Sequence, residues 1–364
     1  MSTRVKRAVD RAVDTVPNPV LAVVAVALFL FAVQLLGTAT QTAAPILRQV
    51  FHRFVGGDAS ALGLGWLSAY LVGNGSVVAA LAVSLFAAEI ISPAQLFLLV
   101  AGSRLGAVAI VVFIGALDWV QKERYTLRKS IQMGLLTFTL THSIYLPVTV
   151  IGYLSVPSVD GVFRRISHGW SIGIDSLAIF GPVTGAITGA LGPVIAFLVA
   201  VALLLASLKL FDRVLARIDI GFLRSKVFNR FDNPALAFAI GLVVTGLTTS
   251  VAFSLGVIVP LYNRGYIERD ELVPYVLGAN LGTLVDTLLV AIVLGSPGGI
   301  AIVLELLAIA ALVTAVALVA LPVYTRAIVA LDQRLVDDRR AFIGFVASLI
   351  IVPLILLVGP MVLR

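Results

Sequence analysis

Residues 233–294 read NPALAFAIGLVVTGLTTSVAFSLGVIVPLYNRGYIERDELVPYVLGANLGTLVDTLLVAIVL, and this stretch decides the fold class. It is apolar enough for a bilayer, yet two small polar clusters interrupt it. One is Thr248-Thr249-Ser250; the other is Gly278-Ala279-Asn280-Leu281-Gly282-Thr283, followed by Asp286. In hydrocarbon an unpaired polar group is costly, so hydroxyls, an amide and a carboxylate at that depth line a cavity or are buried in protein.

The rest of the chain has the same character. Its 364 residues are 60% hydrophobic and 12% charged, with a mean hydropathy of +1.08. Several apolar runs approach the ~20 residues that cross a bilayer as helix. They are too long and too rich in Leu, Ala and Gly for the alternating strands of an outer-membrane barrel. The fold class is an all-α polytopic membrane protein in contact with the lipid bilayer. The absence of cysteine excludes disulfides and thiolate metal sites. The net charge of +7 reflects the bias of basic residues toward cytoplasmic loops rather than nucleic-acid binding. The opening segment, STRVKRAVDRAVDTVPNP, reads as a charged cytoplasmic piece without a cleavage pattern.

Sorting the basic residues by loop predicts a topology. Residues 1–19 form a cytoplasmic N-terminal segment, and 20–60 a first crossing with an outer segment. A first transport repeat spans 61–155, and a connecting region with the most basic loop spans 156–232. A second repeat spans 233–324, and 325–364 hold a cytoplasmic loop and a last crossing. Within this scheme Gly73-Asn74-Gly75-Ser76 breaks one apolar run and Thr248-Thr249-Ser250 another. Glycine and Asn at the centre of a spanning helix are unfavourable, so each run is read as a re-entrant helical hairpin. Residues 156–170 are read as a short outer loop, and the Gly/Pro-rich first half of 171–210 as irregular. Of the 26 Lys and Arg, 20 then fall inside, 5 outside, and Arg104 lies within the membrane. The location is the plasma membrane, multi-pass, with the N-terminus in the cytoplasm.

The two broken regions resemble each other. VGNGSV (72–77) aligns with LTTSV (247–251), Ser76 on Ser250; AGSRLGA (101–107) aligns with LGANLGT (277–283), Gly102 on Gly278 and Arg104 on Asn280. The spacing from cluster to glycine is 28 residues in the first copy and 30 in the second, which places a two-residue difference in the loop. One copy starts outside and the other inside. The expected architecture is two inverted-topology repeats, each with a re-entrant hairpin and a discontinuous transmembrane helix, around a midplane site.

Interrupted helices aim backbone N–H groups at anions and carbonyls at cations. Arg104 adds a fixed charge whose planar fork fits phosphate or carboxylate. The expected substrate-binding residues are Asn74, Gly75, Ser76, Arg104, Thr248, Thr249, Ser250 and Asn280. Oxygen ligands for Na⁺ would come from Thr249, Ser250, Asn280, Thr283 and Asp286. The same residues have plainer uses. Membrane Thr and Ser bond back to their own helix, GxxxG packs helices, and Arg104 can pair structurally with Glu89 or Asp286. His142, Asp175 and Glu305 carry no assigned role.

The paired pattern of a small polar cluster, about thirty residues and G-A-N-x-G-T resembles the type II sodium/phosphate cotransporter family. TTS (248–250) with GANLGT (278–283) is the closer copy, and LTHSIYLPVTVIG (140–152) resembles that family's His-containing helix. The resemblance implies sodium-coupled symport of inorganic phosphate by alternating access, with Na⁺ as coupling ion and no organic cofactor. Neither copy has the family's Gln, and Arg104 stands where the pattern has Asn, so another small anion is an alternative substrate. A non-transporting channel or sensor on the same fold is a further alternative. No G-x-x-x-x-G-K-[ST] or HExxH motif is present, which argues against a nucleotide motor or a metal-dependent intramembrane hydrolase. The glycine-rich run 181–192 is read either as a homodimer contact or as an irregular cover.

Overall fold

The computed structural model describes residues 16–121, 127–171, 179–217, 233–248, 254 and 269–362. All regular structure among them is helical. In chain order the helices are α1 (Asn18–Thr42), α2 (Ala44–Phe54), α3 (Asp58–Val72), α4 (Gly75–Ala87), α5 (Pro93–Gln121), α6 (Leu127–Ser171), α7 (Gly181–Leu191), α8 (Pro193–Ala216), α9 (Pro234–Thr248), α10 (Arg269–Gly282), α11 (Leu284–Val293), α12 (Pro297–Val319), α13 (Leu321–Asp337) and α14 (Arg339–Val362). Six spans are long and apolar enough to cross a membrane: Asn18–Thr42, Gly134–Val156, Pro193–Leu215, Glu271–Val293, Pro297–Val319 and Arg340–Val362. The protein is a multi-pass membrane protein built as a helical bundle.

Local chemistry sets the helix ends. Pro17 precedes α1 and Pro297 opens α12, where a missing N–H costs nothing. The Ser296 hydroxyl accepts from the Gly299 N–H at 3.2 Å. Between α3 and α4 the chain turns at Gly73, whose φ of 71° suits glycine. Asn74 then caps α4, its Oδ1 accepting the N–H groups of Ser76 at 2.9 Å and Val77 at 3.2 Å. At 15 and 13 residues, α3 and α4 are each too short to span a bilayer alone.

Two helix pairs form the frame around the site. Helix α3 packs on α5, and α9 packs on α10. In the first pair a Cβ added to Gly65, Gly102 or Gly106 would strike the carbonyl oxygen of Leu99, Leu62 or Trp66. In the second, a Cβ on Gly241, Gly278 or Gly282 would strike that of Tyr275, Phe238 or Leu242. These three glycine-to-carbonyl contacts of the first pair recur in the second with a shift of 176 residues, from Gly65 to Gly241 and from Leu62 to Phe238. The starts of α3 and α9, Asp58 and Pro234, obey the same shift. Small residues let two backbones touch, the main source of helix association where no hydrophobic drive exists.

The remaining helices wrap this frame. Helix α6 packs against both α5 and α12 and touches α10. Helix α14 crosses α3, where Ser60 Oγ donates to the Leu357 carbonyl and the Tyr70 hydroxyl to that of Leu349, each at 2.9 Å. Helix α1 packs on α7 and α8, and α4 packs on α11. The core runs through Leu35, Leu36, Phe97, Leu105, Leu140, Ile144, Tyr145 and Tyr275, all fully buried.

Several expectations are corrected. The outer loop expected at 156–170 is instead the end of α6, which continues to Ser171. Half of the run expected to be irregular is helix α7, ended at Gly192 with φ 77° just before Pro193. The first copy's helix is not discontinuous: Pro93–Gln121 is one helix. The two-residue loop difference also disappears. In the 176-residue register Val72, not Asn74, is the counterpart of Thr248, because the packed glycines rather than the polar clusters are equivalent.

Candidate functional site

The second pair carries the break that makes a site. In an unbroken helix the Asn280 carbonyl accepts the N–H four residues on. Here it accepts the Thr283 hydroxyl at 2.7 Å and the Tyr145 hydroxyl at 2.8 Å. Side-chain hydroxyls that take a backbone acceptor interrupt or bend the ladder. Helix α10 accordingly stops at Gly282, and α11 starts anew at Leu284. Asp286 falls in the first turn of α11, where a carboxylate is favoured by the helix dipole.

Arg104 reaches this new helix start from α5. Its Nη2 donates to Asp286 Oδ1 at 3.1 Å and also to the Thr287 hydroxyl oxygen. Thr287 in turn donates to Asp286 Oδ1 at 3.0 Å. The Arg104 and Asp286 side chains are 4% and 3% exposed. A buried ion pair offsets its desolvation only when geometry is good and leftover donors and acceptors are satisfied. Among the described residues, Arg104 Nε and Asp286 Oδ2 have no hydrogen-bond partner.

Helix α6 supplies the third wall. Thr141 and Tyr145, one turn apart, both address Asn280: Thr141 donates to its Oδ1 at 2.9 Å, and Tyr145 holds its carbonyl. Asn280 is buried, and its Nδ2 lacks a partner among the described residues. The Tyr145 hydroxyl meets that of Thr283 on this carbonyl and lies within electrostatic reach of Arg104 and Asp286. Arg104, Asp286, Thr287, Thr283, Asn280, Thr141 and Tyr145 thus form one buried polar cluster, offering a guanidinium, a carboxylate, an amide and hydroxyls.

Of the expected site residues, the structure brings together Arg104, Asn280, Thr283 and Asp286. Asn74 is committed to capping α4. Gly75 presses the tip of α4 onto α5, with Ser103 and Ala107 nearest to where a Cβ would stand. That places the start of α4 against Ser103, the chain neighbour of Arg104. Ser76 sits in the first turn of α4, half-buried. Thr248 is buried at the end of α9 and bonds back to the Thr245 carbonyl at 3.5 Å. Thr249 and Ser250 lie outside the described residues.

Three members were absent from the expectation: Thr141, Tyr145 and Thr287. Thr141 and Tyr145 flank His142 in the stretch singled out for its histidine. Their spacing of four residues was the available signal, because it puts both on one helix face. His142 itself packs away from the cluster. Its ring stacks on Phe138 at 3.6 Å between centroids and leans on Trp66 at 5.4 Å, with Nδ1 at 3.0 Å from the Phe138 carbonyl. Glu89, proposed as an alternative partner of Arg104, instead offers its backbone carbonyl to Arg48. Buried Glu305 accepts from Ser155 at 2.9 Å. Among the described residues no group of three or more His, Cys, Asp or Glu is placed to hold a metal ion. The oxygen ligands in the cluster are one carboxylate with hydroxyl and carbonyl oxygens, a set that suits hard cations.

Residues 203–349 match the model of the Na+/Pi-cotransporter family. The match covers part of the chain and agrees with a divergent member of that family. It includes α9 through α13, hence Asn280, Thr283, Asp286 and Thr287, and leaves out Arg104 and helices α3–α6. No curated protein and no solved structure matches the chain.

Proposed function

We propose that the protein is a secondary active transporter that carries inorganic phosphate into the cell together with Na⁺, by alternating access across the plasma membrane. The observation that carries this reading is the buried cluster at the α10–α11 break. A guanidinium, the group best shaped for a phosphate, reaches across to a carboxylate and hydroxyls suited to Na⁺, and of these Asp286, Thr283 and Thr287 lie in the part of the chain related to Na+/Pi cotransporters. The two glycine-packed pairs are read as inverted repeats. Support comes from their common register and from the sorting of basic residues, which starts one pair outside and the other inside. Each pair would then move as a rigid unit about the cluster. Arg104, which stands where the G-A-N-x-G-T pattern has Asn, favours one variation: a small tetrahedral or planar oxyanion other than phosphate.

Uptake of radiolabelled phosphate into proteoliposomes tests the reading. Accumulation is expected with an inward Na⁺ gradient and is expected to collapse when choline replaces Na⁺. Uptake indifferent to Na⁺ removes symport, and competition by excess sulfate, if as strong as by phosphate, moves the substrate to the wider anion class. Because the chain lacks cysteine, labelling tests the inversion without background. Ser92→Cys is expected to react with an impermeant maleimide from outside and Tyr266→Cys from inside. Reaction of both from one side would sink the inverted arrangement.

A further inference from the structure

We propose that Asp286 is a built-in competitor of the transported anion, and that Na⁺ and anion bind cooperatively by dividing the Arg104–Asp286 pair between them. The inference rests on the reading of the protein as a Na⁺-coupled phosphate carrier and names how the coupling is built into its site.

The pair is poorly made for a purely structural bridge. A stabilising Arg–carboxylate bridge is a two-pronged fork with every other donor and acceptor satisfied. Here Arg104 meets Asp286 through Nη2 and Oδ1, with Thr287 bracing the same two atoms. Arg104 Nε and Asp286 Oδ2 are without a hydrogen-bond partner among the described residues. Both side chains are more than nine-tenths buried. A buried donor on one member of the ion pair and a buried acceptor on the other are the complement of two ligands of opposite sign.

Each ligand satisfies one end. An oxyanion can take the Nε edge of the guanidinium, where two N–H groups point the same way. A hard cation can take Asp286 Oδ2, with the hydroxyl oxygens of Thr283 and Thr287 on the same stretch of chain. Neither event is favourable alone. An anion that displaces Asp286 strands a carboxylate in a low-dielectric interior, and a cation that draws Asp286 away strands a guanidinium. When both bind, each protein charge exchanges its partner for a mobile ion of the same sign, and the net charge of the buried site changes little. Coupling of this kind is reciprocal: Na⁺ raises anion affinity by the factor by which the anion raises Na⁺ affinity. Thr287, which touches both charges, is the brace that holds them together until both ions arrive.

Equilibrium binding of radiolabelled inorganic phosphate to the full chain in lipid nanodiscs, in NaCl and in choline chloride at one pH, tests the exchange. Wild type is expected to bind phosphate at least about tenfold more tightly in Na⁺ than in choline, within the usual range of site coupling. Asp286→Asn removes the competitor and keeps an acceptor for Thr287. It is expected to bind phosphate in choline about tenfold more tightly than wild type does, with no further response to Na⁺. Thr287→Val keeps both charges and loses the brace. It is expected to tighten sodium-free binding by about threefold, as for loss of one modest hydrogen bond, and to retain a response to Na⁺. Weaker phosphate binding by folded Asp286→Asn in choline, or an undiminished response of that variant to Na⁺, overturns the exchange. Should Asp286→Asn not give a monodisperse protein, Thr287→Val decides alone: unchanged or weaker sodium-free binding overturns the proposal. Wild type that binds phosphate equally in both salts overturns the exchange and leaves phosphate recognition standing. Wild type that binds phosphate in neither salt overturns the transport reading and the exchange with it.

Discussion

The α3–α5 pair and the α9–α10 pair are the same packing solution with different chemistry placed on it. Their glycines meet the partner backbone at equivalent positions. Arg104 and Asn280 each sit between two such glycines, Gly102 and Gly106 or Gly278 and Gly282. From equivalent positions they reach different places: Arg104 crosses to Asp286 and Thr287 on α11, and Asn280 is held by Thr141 on α6. The first pair's helix continues unbroken to Gln121, whereas the second breaks after Gly282. The difference teaches that close backbone contact sets where a side chain can stand, and the residue type then sets what it does there. One pair contributes the fixed positive charge; the other contributes the carboxylate, amide and hydroxyls.

Removing the charged half has the largest expected effect. Arg104→Ala leaves Asp286 buried and uncompensated, a change that costs about 3–5 kcal/mol. Thermal unfolding in detergent should show that loss, and phosphate binding should vanish. Binding that survives in the folded variant would take Arg104 out of the site. Next come the shared contacts. Gly102→Ala and Gly278→Ala each drive a methyl group into a backbone carbonyl and should cost about 1–3 kcal/mol, by similar amounts. Gly185→Ala, with open space around it, should sit near wild type. A wide gap between Gly102→Ala and Gly278→Ala would break the equivalence of the pairs. The smallest effect is expected from Tyr145→Phe, which takes one hydroxyl from the Asn280 carbonyl and should cost about 0.5–1.5 kcal/mol. Read by the same melting experiment, no change would mean that Thr283 alone maintains the break.

Some of the site was legible before any coordinates. Arg104 and the G-A-N-L-G-T stretch announce themselves because ionisable and amide groups are rare at membrane depth. That rarity is a property of composition and needs no partner to be noticed. The hairpin break at Gly73-Asn74 was legible for a similar local reason, since a left-handed glycine followed by a capping Asn is written in adjacent residues. The role of Asn74 was not: expected as a ligand, it spends its acceptor on two backbone N–H groups. His142 drew attention by type, while its neighbours Thr141 and Tyr145 do the work on Asn280. A histidine's use depends on what surrounds its ring, and Phe138 and Trp66 close on it from two different helices.

By itself, then, the sequence determined that this is a multi-pass helical membrane protein with polar interruptions at two related places. Hydropathy sums over neighbouring residues, and helix breaks are made by neighbouring residues, so both survive without knowledge of the fold. Tertiary structure alone decided the gap-free register of the two pairs, because that register is a property of backbone contacts between helices. It alone decided that Arg104 is already engaged, through an ion pair that joins residues 182 positions apart in the chain. No local pattern encodes which buried carboxylate a guanidinium will meet; that follows from how the helices pack.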